Sequence, residues 1–433
     1  MPRFTLRLTA ADNVPADEAS SSFYWMQGPR SSFTRSTGPN LETLGTVPAL
    51  NRDLVRIALA AFAADRSVLR RAGGSDWNQR QLDLVIPVSD TAPWTAAADE
   101  FAGVLCFLSG DQWTLSFTPE QDQERQPKAA ASRTRPAPQR VVLLSGGADS
   151  AIGALYSRSL LAHDEHHILL SHFSHTVLAP IQRHVATQAE QLLPGPGQEH
   201  VVVHLGRGSK RIDDTTYPSE LSSRSRSLLF LALGLAVASQ YEVPLWIPEN
   251  GFASINPPLG PERLGSLSTR TTHPRFLQDL VTVLTKAGAH AAIENPFADS
   301  TKGEMYSQAA SLVGPDPASA YLSATHSCAL TGQPAHGAPA SQSCGVCFGC
   351  VLRRASFTAS GIADRTDYLA PSSDRAMQNW LDGKSVEQQV RNFIRRGVRP
   401  RDLMALDLPL DYPLHQAQDL CGRGIQELRS LYP

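Results

Sequence analysis

The sequence predicts an α/β fold, with a doubly wound parallel sheet in its second part and a small α+β domain before it. One observation is a series of short apolar runs typical of strands buried on both faces: residues 141–144, 167–170, 201–203 and 244–247. Another is that helical segments, which we place at residues 177–193 and 220–240, separate these strands. Alternating strands and helices form parallel sheets whose ligands bind beyond the carboxyl ends of the strands.

Changes in composition divide the 433 residues into four segments. Residues 1–118 mix alternating apolar positions with helical stripes and predict the small N-terminal α+β domain, to which we assign recognition or docking. Residues 119–139 are rich in Pro, Gln, Ala and charge and predict a linker. Residues 140–371 hold the alternating strands and helices, and residues 372–433 predict a helical C-terminal extension.

Charge and cysteine content restrict the function classes. The chain has 39 basic and 41 acidic residues, so no overall field favours nucleic acid or an acidic membrane surface. We identify neither a signal peptide nor an apolar run of the ~20 residues that cross a bilayer, and we expect a cytoplasmic protein. Disulfides are rare in a reducing compartment, so clustered cysteines there favour a metal site.

A glycine-rich turn follows the first strand of the third segment, where residues 145–150 read Ser-Gly-Gly-Ala-Asp-Ser. A strand, a glycine turn and a helix place backbone N–H groups and the positive end of the helix dipole around one concavity, which suits phosphate. The alternative is an ordinary serine and glycine turn in a βα unit. We predict that the following residues bind the phosphates of a ligand and Mg²⁺: Ser145, Gly146, Gly147, Asp149 and Ser150.

Four of the six cysteines are close together in sequence: Cys328, Cys344, Cys347 and Cys350. Four thiolates in a tetrahedral array are preferred by zinc, and the Cys-x-x-Cys-x-x-Cys spacing places three of them in one tight loop. A site with four cysteine ligands leaves no position for water, so we predict a structural zinc ion. The alternative is a group of buried thiols without metal.

The glycine turn resembles the pyrophosphatase loop of ATP-dependent adenylating enzymes, whose fold is adenine nucleotide α-hydrolase-like. Further motifs occur in order: Pro296-Phe297, Thr301-Lys302-Gly303-Glu304, and the cysteine cluster followed by Val-Leu-Arg. Together they resemble the 7-cyano-7-deazaguanine synthase family over about residues 140–368. Two weaker similarities lie at residues 226–231 and 269–274.

The resemblance implies an activity. That family adenylates the carboxylate of 7-carboxy-7-deazaguanine with ATP, forms the amide with ammonia, and uses a second ATP to convert the amide into the nitrile. It implies that Asp149 and Lys302 are catalytic and that Lys302 reaches the phosphates; the alternative for Lys302 is a solvated side chain in the first turn of a helix. The substrate residues that it implies are Arg226, Glu249, Asn250 and Arg270.

Several features depart from the family pattern. Its Arg-Asn pair is Arg226-Ser227 here, its Gly-x-Asn strand end is Glu249-Asn250-Gly251, and the chain between Cys328 and Cys344 is a long excursion. The N-terminal domain and the C-terminal extension have no counterpart in a lone nitrile-forming enzyme. They resemble a variant group met in antiviral defence gene clusters, for which we hypothesise that the amine acceptor is the α-amino group of a partner protein.

Two alternative functions are compatible with the loop. One is a tRNA-thiolating adenylase, which needs reactive thiols and a basic RNA surface. The other is a non-catalytic, nucleotide-sensing scaffold of a defence complex. Release of pyrophosphate distinguishes the second from an enzyme, because a sensor binds ATP without turnover.

Overall fold

A computed structural model of the protein describes residues 2–70, 79–120, 137–173, 177–258, 270–329 and 341–433. The strands are β1 Arg3–Arg7, β2 Ser22–Tyr24, β3 Phe33–Arg35, β4 Gln81–Val88, β5 Gln112–Pro119, β6 Val141–Leu143, β7 His166–Phe173, β8 Gly197–Arg207, β9 Leu245–Trp246 and β10 Ile293–Glu294. They form two sheets, and the α/β class predicted from the sequence is confirmed.

Helices connect and cover the strands. In the N-terminal part they are α1 Ala16–Ser21, α2 Ala49–Ser67, α3 Thr91–Ala96 and α4 Ala98–Ser109. In the central part they are α5 Ala148–Ser159, α6 Leu178–Leu192, α7 Arg226–Ala238, α8 Gly251–Ser254, α9 Pro274–Ala287, α10 Lys302–Val313, α11 Pro315–Ser323 and α12 Phe348–Ser360. The C-terminal helices are α13 Arg375–Asp382, α14 Glu387–Arg396, α15 Pro400–Met404 and α16 Leu414–Leu431. None of the helices in these described ranges has both the length and the apolar character of a transmembrane segment.

The central sheet has the strand order β10-β9-β6-β7-β8-β3. Its first five strands are parallel, whereas β3 pairs antiparallel with β8, with Thr34 opposite Gly206. The sheet is therefore mixed, and the prediction of a wholly parallel sheet was wrong at this edge. The reason is that β3 comes from the N-terminal part of the chain, and a pairing over such a separation leaves no local signal in sequence.

The N-terminal sheet has the order β2-β1-β4-β5, and all its strands are parallel. It is of the α/β type, so the α+β prediction for this part does not describe the arrangement. The apolar alternation at residues 82–88 is real, because β4 alternates between more and less buried positions. Alternation marks a strand but does not specify the direction of its neighbours.

Helices α2 and α7 join the two sheets. One continuous apolar core includes side chains from the N-terminal sheet, from both helices and from one face of the central sheet, for example Leu84, Leu59, Leu233 and Leu143. A second core covers the opposite face of the central sheet with α5, α6, α10 and α11. The N-terminal part is thus packed into the body of the protein over a large buried surface.

The predicted linker is described only at its ends. Strand β5 runs to Pro119, and the N–H of Gln139 donates to His166 O over 2.9 Å at the start of the central sheet. Residues 121–136 lie outside the described part of the chain, as do residues 330–340 of the excursion between Cys328 and Cys344. The linker therefore stays a prediction.

Helix α7 begins six residues later than predicted, at Arg226. Asp65 of α2 explains the difference, because its Oδ2 accepts hydrogen bonds from Arg224 N (2.7 Å), Ser225 N (2.9 Å) and Ser225 Oγ (2.7 Å). The carboxylate satisfies donors that a longer helix would use internally. A side chain of the N-terminal part thus sets the first turn of a central helix.

Candidate functional site

The site is built around the turn between β6 and α5. Gly146 has a φ of +91°, a conformation that a residue with a Cβ rarely adopts. The hydroxyl groups of Ser145 and Ser150 are 3.0 Å apart, and Ser150 Oγ donates to Gly147 O over 2.9 Å. These contacts close the turn, and the first N–H groups of α5, which lack carbonyl partners within the helix, face the same end. Such a turn suits an anion.

Two side chains from other elements hold this turn. Gln182 of α6 donates from Nε2 to Ser145 O and to His172 O, both over 3.2 Å, and so links the turn to the end of β7. On the other side, the N–H of His326 donates to Gly146 O over 2.9 Å. The turn is therefore fixed by two segments that are distant in sequence.

Asp149 and Lys302, the two residues predicted to be catalytic, lie in contact beside the turn. Lys302 Nζ forms an ion pair with Asp149 Oδ1, and Asn250 Nδ2 donates to Asp149 Oδ2 over 2.8 Å. Both ion-pair partners are 6% exposed, so the interpretation of Lys302 as a solvated lysine is wrong. The pair joins the first turns of α5 and α10.

The electrostatics of these groups follow from burial and from their neighbours. Burial alone would raise the pKa of Asp149, but the charge of Lys302 together with hydrogen bonds from Lys302, Glu249 and Asn250 outweighs it and lowers the pKa. Burial would likewise lower the pKa of Lys302, but the Asp149 carboxylate holds it above its usual value. Burial and the nearby Asp149 charge raise the pKa of Glu249 well above its usual range. Their surroundings therefore shift the pKa values of Asp149 and Glu249 in opposite directions.

The positions of these residues agree with the topology of the sheet. Asp149 follows β6, whereas Glu249 and Asn250 follow β9, which lies beside β6. From β6 the chain proceeds to β7 and β8 on one side and then returns to β9 on the other. Ligands of open α/β sheets bind at such a reversal, beyond the carboxyl ends of the strands.

The four predicted zinc ligands come together. All four Sγ atoms lie within 4.8 Å of one another, with 3.9 Å between those of Cys328 and Cys347 and 3.8 Å between those of Cys344 and Cys350. Zinc bonded to four thiolates at 2.3 Å gives sulfur separations of about 3.8 Å, so the cluster fits the metal. The four cysteines are buried, and the cluster can hold a metal such as zinc.

The cysteine cluster is covered by α13 of the C-terminal part. Met377 and Leu381 pack against the cysteines, with Trp380 partly buried beside them. The segment that ends in Cys328 runs past the turn between β6 and α5, where the N–H of His326 donates to Gly146 O. A short stretch of chain therefore joins the cysteine cluster to this turn.

Arg226 lies at the first position of α7, and its side chain is exposed. Surrounding protein nevertheless lowers its pKa, and the charge of Arg66 on α2 lowers it further. Arg226 is thus a cation that is exposed to solvent and lies near the positive charge of Arg66. Its predicted contact with substrate stays a prediction.

Arg270 contacts the N-terminal and C-terminal parts of the chain rather than the turn. Its guanidinium pairs with Asp407 of the C-terminal part over 3.0 Å and stacks on Phe107 of the N-terminal part at 4.3 Å from the ring centroid. These two contacts give the guanidinium group partners within the protein, so its position does not require a ligand. Its assignment to the substrate is therefore the least supported of the predicted residues, and nothing in the geometry favours it.

Sequence reasoning missed the residues that support the site from outside. Gln182, Asp65 and Glu427 each hold a turn that carries a predicted site residue. Only the Thr301-x-x-Glu304 pattern, which forms a capping box at the start of α10, carried a readable local signal. The other contacts depend on how distant segments pack.

No protein-family model and no curated protein sequence matches this chain. The resemblance to 7-cyano-7-deazaguanine synthases therefore depends on the ordered motifs, and it stays a prediction. The structure adds that residues from four of those motifs lie at one edge of the central sheet or next to it.

Proposed function

We propose that this protein is an ATP-dependent ligase that activates a carboxylate as its acyl-adenylate and transfers the acyl group to an amine. The observation that supports it most is the contact of Lys302 with Asp149 beside the turn at residues 145–150. A buried cation, a buried carboxylate and the N-terminal end of a helix are the groups needed to bind a triphosphate with its metal.

The first step would join a carboxylate oxygen to the α-phosphorus of ATP and release pyrophosphate. The turn and the first N–H groups of α5 would bind the phosphates, and Asp149 would hold Mg²⁺, which supplies charge neutralisation. Lys302 occupies Asp149 Oδ1 in the structure, so it would move to the phosphates when the ion takes that place. The ammonium group and the metal would then share the developing negative charge.

The second step would form the amide bond and release AMP. We propose 7-carboxy-7-deazaguanine as the acid, because of the family resemblance, with Arg226, Glu249, Asn250 and Arg270 as its candidate contacts. The amine is ammonia, which gives the amide and with a second ATP the nitrile, or the α-amino group of a partner protein in an antiviral defence system. The large N-terminal and C-terminal parts favour the protein acceptor, because ammonia requires no additional surface.

The cysteine cluster would hold a structural zinc ion. Its four buried thiols argue against the tRNA-thiolating alternative, whose chemistry needs accessible sulfur. A metal held by four cysteines has no open position for substrate, so its role is to fix the chain next to the turn.

Pyrophosphate release tests the proposal. The full-length protein is incubated with ATP, Mg²⁺ and 7-carboxy-7-deazaguanine, with and without ammonia or co-expressed partner proteins, and products are identified by mass spectrometry. We expect release that depends on the acid and is lost in Asp149→Asn. Tight ATP binding without release would instead support the nucleotide-sensing scaffold, and an unreactive acid in the presence of both amines would exclude the proposed substrate.

A further inference from the structure

The C-terminal helix reaches the start of the helix that carries Lys302. Glu427 of α16 is 8% exposed, and its carboxylate contacts the first turn of α10. Oε1 accepts a hydrogen bond from the Thr301 hydroxyl, and the N–H of Gly303 donates to both carboxylate oxygens over 3.0 Å. Glu427 therefore binds the residue before Lys302 and the residue after it.

A carboxylate in this position complements the end of a helix. The first N–H groups of α10 lack partners within the helix, and the helix dipole is positive there. Thr301 and Glu304 already form a capping box, in which Thr301 N donates to Glu304 Oε2 over 2.9 Å. A hydroxyl has one hydrogen to donate, and Glu427 accepts it, so the rotamer of the capping residue is fixed.

The sequence on both sides of this contact fits it closely. A Cβ added at Gly303 would lie 2.5 Å from Glu427 Oε1, so glycine is required there for the carboxylate to approach the backbone. A Cβ at Gly424 would lie 2.4 Å from the Phe252 ring of α8, so a second glycine lets α16 approach the helix that Asn250 caps. The same C-terminal helix thus supports both elements that bring side chains to Asp149.

We propose that Glu427 is a positioning residue, which holds the turn of residues 301–303 so that Lys302 reaches Asp149 and the phosphates of ATP. The coupling between Glu427 and Lys302 stands on the contacts alone, whereas its consequence for catalysis rests on the proposed function. A lysine at the first position of a helix is opposed by the dipole, and the Glu427 carboxylate offsets that field. Asp65 makes a parallel arrangement at the start of α7, where Arg226 occupies the first position.

Two substitutions remove the contact in different ways. Glu427→Gln keeps the shape but removes the charge, and Gly303→Ala displaces the carboxylate while favouring the helix by its higher intrinsic propensity. Gln426→Ala is the matched control, because Gln426 precedes Glu427 on the same helix and is exposed. The double variant tests whether both substitutions act through one contact.

Two measurements on the full-length protein separate positioning from stability. The first is the rate at which acetic anhydride labels Lys302 in the absence of nucleotide, read by peptide mass spectrometry. We expect labelling to be about tenfold faster in Glu427→Gln and in Gly303→Ala than in the wild type, because a Lys302 side chain released from the buried pair loses its proton more readily, and the neutral amine is the form that attacks the anhydride. The second is pyrophosphate release, for which we expect kcat to fall about tenfold with little change in KM for ATP.

Each outcome has a definite meaning. The double variant should be no worse than the single variants, and Gln426→Ala should match the wild type in both measurements. Unchanged labelling in folded Glu427→Gln and Gly303→Ala would overturn the inference, as would a loss of melting temperature with labelling and kcat both unchanged. A wild type that releases no pyrophosphate would refute the proposed function, while the labelling result would still decide the role of Glu427.

Discussion

The main-chain N–H of His326 donates to the carbonyl oxygen of Gly146 over 2.9 Å, which ties the segment before Cys328 to the turn between β6 and α5. The next residue, Ser327, lies against the helix of the cysteine cluster, because a Cβ added at Gly349 of α12 would lie 2.3 Å from Ser327 O. A few residues of chain therefore connect the cysteine cluster to the turn.

This connection predicts the effect of metal removal. We expect Cys350→Ser to lose zinc and, with it, nucleotide affinity, because the released segment no longer restrains Gly146. Metal analysis of the purified protein and calorimetry with ATP and Mg²⁺ check the two parts. Cys106→Ser is the control, since Cys106 is exposed and lies outside the cluster. Full nucleotide affinity in a zinc-free protein would show that the turn is ordered without the metal.

The buried ion pair of Lys302 and Asp149 predicts that a variant lacking only the lysine is less stable than one in which both charges are removed. Lys302→Met leaves the Asp149 carboxylate buried without its counter-ion and should lower the free energy of unfolding by about 3 kcal/mol. Adding Asp149→Asn removes the unpaired charge, so the double variant should be more stable than Lys302→Met alone. Urea unfolding of the two proteins and the wild type measures this difference. A double variant less stable than Lys302→Met would show that the charge is not the source of the loss.

Stability should fall on mild acidification because buried histidines, among them His167 and His172, resist protonation. Burial lowers the pKa of His167 to about 3 and that of His172 to about 4. An unfolded imidazole binds a proton below about pH 6.5, whereas these folded ones stay neutral until far lower pH, so stability is complete above pH 6.5 and is lost as the pH falls. Each group should contribute up to about 1.4 kcal/mol per pH unit in that window.

Urea unfolding at pH 7.5, 6.0 and 5.0 measures the slope of stability against pH. His167→Gln removes one linked proton and should make the slope shallower, while metal content is measured at each pH to separate the contribution of the cysteines. An unchanged slope in this variant would show that His167 is not among the groups that titrate on unfolding.

The core of the N-terminal part contains a fully buried ionic network. Arg80 donates to Asp65 Oδ1 and to Asp111 Oδ2, each over 2.5 Å, and the three side chains are completely buried. Arg80→Met would leave Asp65 and Asp111 with Arg70 as their remaining partner, which should lower the free energy of unfolding by about 3 kcal/mol and the melting temperature with it. Lys286→Ala breaks the exposed pair with Glu100 and should leave the melting temperature nearly unchanged. Thermal unfolding of both variants makes the comparison, and a stable Arg80→Met protein would contradict it.

Much of the site could be predicted from the sequence, because its signals are local. The strand before Ser145, the glycine turn, the helix from Ala148 and the spacing of the cysteines each lie within one short segment. The contact between Asp149 and Lys302 required the family resemblance, since no local pattern relates residues so far apart in the chain. The same holds for Asn250, whose position follows from the order of the strands.

The remaining features arise from packing between distant segments. Strand β3 has only three residues, too few for alternation to be read, and its partner β8 is more than 150 residues away in sequence. Glu427 lies on an amphipathic helix whose buried face would ordinarily be apolar, and its role is visible only with α10 in place. Sequence patterns divide the N-terminal and C-terminal parts from the central part. In the structure, Asp65 and Glu427 from those outer parts contact the first turns of the helices that carry Arg226 and Lys302.

The pairing of β3 with β8 has a consequence for how this protein can be divided. Strand β8 spans 11 residues, and without Phe33–Arg35 its outer backbone groups at Leu205, Gly206 and Arg207 would lose their partners. Exposed edges of that kind recruit further strands and promote self-association. A shortened chain that begins near Arg140 would therefore be prone to aggregate. The first third of the polypeptide thus protects the edge of the central sheet from self-association.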